Sequence, residues 1–127
     1  MSMNKRFWIK IIAVSGFLSV VLGAFSAHGL ESVLTDRRME NFQTAVQYQL
    51  VHTLALLGIV CIEDQLLRPG YKTCVAVFFL LGIMLFSGSL YLLAITGILA
   101  LAIITPFGGG AFIIGWIMLF LAAIRSK

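Results

Sequence analysis

The chain has 127 residues, 61% of them hydrophobic and 11% charged, with a mean hydropathy of +1.05. A soluble domain carries about a quarter charged residues, so water cannot solvate this surface and the composition specifies an integral membrane protein. The formal charge of +4 does not point to nucleic acid, because the nine basic residues are scattered over segment ends and form no patch interleaved with aromatics.

The charges fall in four islands: Lys5, Arg6 and Lys10; Glu31, Asp36, Arg37, Arg38 and Glu40; Glu63, Asp64, Arg68 and Lys72; and Arg125 with Lys127. Between them, residues 11–30, 41–62 and 73–124 are free of charge over 20, 22 and 52 residues. A spanning helix takes about 20 apolar residues, so the first two stretches fit one helix each and the third fits two. The expected architecture is an all-α integral membrane protein. Four transmembrane helices form two hairpins in a single domain over 1–127, with spans near 7–30, 41–62, 73–95 and 105–124. Seven of the nine basic residues then share a side with both termini, which makes both ends cytoplasmic, N-in/C-in.

Helix 1 is expected from about Phe7 to Leu30, with Lys10 snorkelling to the headgroups. A cleaved leader with Ala24-Phe25-Ser26 at the cleavage site is the rival reading; an uncleaved first span is adopted. Ser15, Ser19, Gly23 and Ala27 recur every four residues and make a small-residue stripe for close helix packing, within the chain or against a second copy. Gly29 reads as the residue that ends the helix. Thr35 is placed to cap a second helix with Asp36 in its first turn, continuing unbroken to about Ile62. Arg68-Pro69-Gly70-Tyr71 reads as a turn before helix 3, and Gly97 as that helix's end. Helix 4 starts near Ile98 or at Pro106, a residue suited to a first turn. Pro106, Gly108, Gly109 and Gly110 together mark a candidate helix break facing a cavity. Cys61 and Cys74, thirteen residues apart without histidine neighbours, match no metal spacing and read as apolar fillers.

Polar residues inside a bilayer are costly, and so informative. Those of the outer half give the candidate cluster His28, Tyr48, Gln49, His52, Ser87, Ser89, Tyr91 and Thr105. Tyr48, Gln49 and His52 lie three or four residues apart and can share a side of helix 2. His28 and His52 differ in depth by about 10 Å from the helical rise, too far to share one metal ion at about 2 Å. No metal and no cofactor is therefore expected. His52 reads as a neutral imidazole bonded to a serine, a tyrosine or a carbonyl of a neighbouring helix, and His28 as an interface residue near Glu31. No acid lies mid-span, which weighs against proton-coupled transport, and no activated nucleophile, metal triad or phosphate loop is visible. The expectation is not an enzyme.

Four blocks carry a resemblance: "LGAFSAHGL" (22–30), "TAVQYQLVHTLALLG" (44–58), "LFSGSLYLLAITG" (85–97) and "TPFGGGAFIIGW" (105–116). In this order and spacing they closely resemble the YgdD-like family of small bacterial inner-membrane proteins, a domain of unknown function. Ser26 departs from the glycine common there. The resemblance implies a four-helix, multi-pass protein of the cell inner membrane, and brings no catalytic residue, substrate or cofactor.

Two functions follow as expectations. The first is a non-enzymatic binding or assembly component, in which His52, Tyr48, Ser87, Ser89 and Tyr91 form one polar network in the outer half. The second is a carrier, receptor or small exporter for an amphiphile such as a lipid or quinone. That reading needs a cavity near Pro106–Gly110 and His52, and a homo-oligomer joined along the Ser15–Ala27 stripe. The expected partners are the lipid bilayer and a second copy or another membrane protein.

Overall fold

The computed structural model describes residues 2–125, which are helical with short connections and contain no strand. Helix α1 (Lys5–Phe25) starts at Asn4, whose side-chain oxygen accepts from the Phe7 N–H at 3.1 Å. It runs on through a π turn, Ser26–Leu30. Gly29 therefore does not end the helix. No residue here adopts a left-handed conformation, and the Phe25 ring covers Gly29 so closely that a Cβ would sit 2.7 Å from it. The end comes after Leu30, whose carbonyl accepts from the N–H groups of Val33 and Leu34 at 3.0 Å.

Helix α2 (Asp36–Cys61) is capped by Thr35, whose hydroxyl oxygen accepts from the Arg38 N–H at 3.3 Å. Its 26 residues rise about 39 Å at 1.5 Å per residue, so its first turns reach past the hydrocarbon. Helix α3 (Pro69–Gly82) opens on proline at its first position. Residues 69–71 are thus the first turn of the helix rather than a loop turn, because proline's missing N–H is an orphan there in any case. A second π turn (Ile83–Ser87) joins α3 to α4 (Gly88–Thr96). Gly97, at φ 71°, ends that helix in the left-handed cap that glycine adopts without strain. A short 3-10 segment (Leu99–Ile103) leads to α5 (Thr105–Arg125).

Four segments are long and apolar enough to cross a membrane: Lys5–Leu30, Asp36–Cys61, Pro69–Thr96 and Leu99–Arg125. The all-α, four-span architecture expected from composition is present. The chain runs up and down, with α1 on α2, α2 on α3 and α4, and α3 on α5. At the end that carries both termini, Trp8, Ile12, Leu56, Ile59, Val75 and Phe79 form the main apolar core. There the fully buried Lys72 side chain turns back to the end of α2, donating to the Ile62 carbonyl at 2.5 Å and to Asp64 at 3.0 Å. The hydrogen bond and the charge of Lys72 hold the exposed Asp64 carboxyl below the usual carboxylate range.

The small-residue stripe of α1 is spent inside the chain. Ser15 and Ser19 are buried, and a Cβ on Gly23 would meet Val46 of α2 at 3.4 Å. Ala27 is exposed, and Ser26 and Leu30 are buried in its place. Residues spaced strictly by four advance about 400° at 3.6 per turn, so the stripe drifts off its contact within three steps. It is consequently not the free face for a homo-oligomer.

A second small-residue stripe does more of the packing. Gly108, Ala111, Gly115 and Ala122 are the small buried residues of α5. Gly108 meets the backbone of Leu85 and Phe86 at the second π turn, and Gly115 lies under the Phe79 ring. The Pro106–Gly110 segment is therefore continuous helix, not a break. Its glycines let α5 approach the π turn where any Cβ on Gly108 would strike backbone.

Candidate functional site

The buried polar residues divide into separate clusters around α2 instead of forming one network. On the α1 and α4 side, Gln49 is the hub. Its Nε2 donates to the Ser15 carbonyl (3.2 Å) and to Ser15 Oγ (3.3 Å), and its Oε1 accepts from the Tyr91 hydroxyl (2.6 Å). Thr53 donates to the Gln49 carbonyl at 2.6 Å, so the 2.7 Å contact between Ser15 and Thr53 has Ser15 donating. Ser19 donates to the Ser15 carbonyl at 2.8 Å. Each hydroxyl proton is thus used once, and the cluster ties α1, α2 and α4 together. Tyr91 adds an edge-to-face contact with Phe42 at 5.0 Å.

On the α5 side, His52 is 4% exposed and held at both ring nitrogens. Nδ1 lies 2.9 Å from the Tyr48 carbonyl, which only accepts, and Nε2 lies 3.1 Å from the Trp116 indole N–H, which only donates. These partners select the tautomer with its proton on Nδ1. The imidazole stacks on Phe112 at 3.7 Å and meets the edge of Phe79 at 5.3 Å. The partner of His52 is therefore an indole on α5 and a carbonyl of its own helix, not a serine or tyrosine of a neighbour. Tyr48 presents a 41% exposed ring to the bundle surface and packs on Phe86 at 4.6 Å.

The serines at the end of the second π turn and the start of α4 serve other contacts. Ser87 donates across to the Ala45 carbonyl of α2 at 2.7 Å. Ser89 donates to the Phe86 carbonyl at 3.0 Å, so the Thr105 hydroxyl donates to Ser89 at 2.6 Å. His28 is exposed on the first π turn, beyond these clusters. Cys61 and Cys74 are free thiols, both exposed rather than filling the core. Among the described residues, no three histidine, cysteine, aspartate or glutamate side chains are grouped to hold a metal ion.

The open space lies at the surface of the bundle. A groove of about 420 Å³ between α1 and α3 is walled by apolar residues, with Ser15 and Gln49 on its floor and Lys10 at its mouth. At the end opposite the termini, a cleft of about 490 Å³ is lined by Thr35, Arg37, Arg38, Asn41 and Gly97. A neighbouring one of about 440 Å³ is lined by Arg37, Asn41, Phe86, Leu90, Pro106 and Gly109. Open space does therefore lie beside Pro106 and Gly109, but His52 is not on its wall; Phe112 and Trp116 fill the imidazole's surroundings. The sequence reading passed over Trp116 as a partner, the α5 stripe and the two arginines. The seven-residue repeat of Gly108, Gly115 and Ala122 was the signal for the stripe.

A family model described as a protein of unknown function (DUF423) matches residues 22–109. The UPF0382 membrane protein YwdK of Bacillus subtilis is 43% identical over 94% of this chain and 98% of its own length. The UPF0382 inner membrane protein YgdD of Escherichia coli is 41% identical, over 98% of this chain and 95% of its own. A UPF0382 membrane protein of Haemophilus influenzae is 39% identical over 97% and 98%. No solved structure matches the chain significantly. With a model match over most of its length and relatives this similar from end to end, the chain is a four-span membrane protein that belongs to the DUF423 family, whose function is unknown.

Proposed function

We propose that the chain is a non-enzymatic binding component of the bacterial inner membrane, with both termini in the cytoplasm. The observation that carries this reading is the division between buried polarity and open space. Gln49, Thr53, Ser15, Ser87 and His52 are committed to bonds that join helices, whereas the clefts open on the bundle surface. General acid–base chemistry needs a titrating group within reach of substrate, and both nitrogens of the buried imidazole already have partners. The inner-membrane location is supported by the printed name of the Escherichia coli relative. The orientation is supported by seven of nine basic residues at the terminal side.

Both parts are testable. In a chain with Cys61→Ser and Cys74→Ser, Ser32→Cys is expected to react with an impermeant maleimide on intact spheroplasts, and Gln65→Cys only after disruption. The reverse pattern overturns the orientation. A photo-crosslinking amino acid at Leu99, exposed on the cleft, is expected to give a discrete adduct in living cells. No adduct overturns the binding reading.

A further inference from the structure

The two clefts at the end opposite the termini share Arg37, Asn41, Leu93 and Ala102 on their walls, so they form one trough. Its rim is cationic. Residues four apart on α2 stack, which puts Arg37 with Asn41 and Asp36 with Glu40. Asp36 and Glu31 line a different cleft, against α1. Among the described residues, neither arginine has a carboxylate within 4 Å; the ion pair found is Lys72 with Asp64. The Arg38 guanidinium lies over Gly97, in the space a side chain there would take. Away from the rim the trough becomes apolar, along Phe86, Leu90 and Gly109. Phe86 stands seven residues before Leu93, about 10 Å deeper by helical rise.

A cationic rim at the membrane surface that leads into an apolar trough has the polarity of one lipid. Resting on the binding reading above, we propose that this trough holds a single anionic phospholipid, its phosphate on Arg37 and Arg38 and an acyl chain along Phe86, Leu90 and Gly109. Guanidinium groups pair with phosphate oxygens through charge-assisted, often bidentate bonds. The apolar floor distinguishes this ligand from a free anion, which has no use for it.

The test is native mass spectrometry of the full chain released from nanodiscs of equimolar phosphatidylglycerol and phosphatidylcholine. One retained phosphatidylglycerol is expected. Arg37→Gln with Arg38→Gln is expected to lower its occupancy about tenfold, from the loss of bonds to a charged group. Arg37→Gln alone leaves Arg38 seated on Gly97 and is expected to lower it severalfold, while Lys5→Gln with Lys10→Gln, at the opposite end, leaves it unchanged. Leu90→Trp, which fills the trough, is expected to expel the lipid with the helical circular dichroism intact. Equal retention of the two lipids, equal loss in the lysine variant, or retention in Leu90→Trp overturns the proposal. So does displacement of the lipid by an equal concentration of inorganic phosphate, which assigns the rim to a free anion. A Leu99 adduct that is protein alone also overturns the lipid while leaving the binding reading standing.

Discussion

Gly108→Ala is the substitution on which the packing of this bundle turns. A methyl at Gly108 would collide with the backbone N and Cα of Phe86 and the carbonyl carbon of Leu85. A side chain in the way can rotate, but backbone cannot, so α5 must move off the second π turn. Such overpacking costs about 1–3 kcal/mol, and backbone contact argues for about 3. Alanine recovers about 1 kcal/mol of helix propensity, leaving a net loss of about 2. Gly110→Ala, two residues on, meets nothing within 4 Å and is expected to gain up to about 1 kcal/mol. The two variants carry the same added methyl two positions apart on one helix and should differ by about 3 kcal/mol, about two orders of magnitude in the unfolding constant. Unfolding by SDS titration in mixed micelles, followed by circular dichroism, measures the difference. Equal stabilities, or Gly108→Ala the more stable, would refute the close crossing of α5 and the π turn.

Trp116→Phe keeps the ring packing on Phe79 but removes the donor to His52 Nε2. Hydrogen bonds between membrane helices average about 0.6 kcal/mol and reach about 1.7, so a loss of about 1 kcal/mol is expected in the same titration. At the loop, the Asp64 carboxyl is held below its usual range by Lys72. A depressed folded-state value means the contribution is present above the unfolded value of about 3.9 and disappears as pH falls through the folded one. Wild-type protein should therefore lose stability below about pH 4 more steeply than Asp64→Asn. Parallel acid profiles would exclude the pair as a contributor.

Span count and helix capping were legible because they depend on local chemistry. A run of about 20 apolar residues must bury its backbone bonds in a helix inside the bilayer, wherever its neighbours lie. Thr35 caps α2 and Gly97 ends α4 because the groups they serve belong to the same turn. Which polar residues meet was not legible. Gln49 and His52 are three apart on α2, yet one turns to Ser15 and Tyr91 and the other to Trp116. That choice follows from the positions of α1, α4 and α5 around α2, which no spacing on α2 encodes. The same holds for glycine. Gly29 has the composition of a helix end and Gly108 of a break, but the first is covered by Phe25 and the second by a backbone that approaches from another helix. Sequence alone dictated the membrane, the four spans and the caps that lie within one turn. Pairing across helices belongs to the three-dimensional packing, because each contact joins residues tens of positions apart whose meeting depends on how the helices cross.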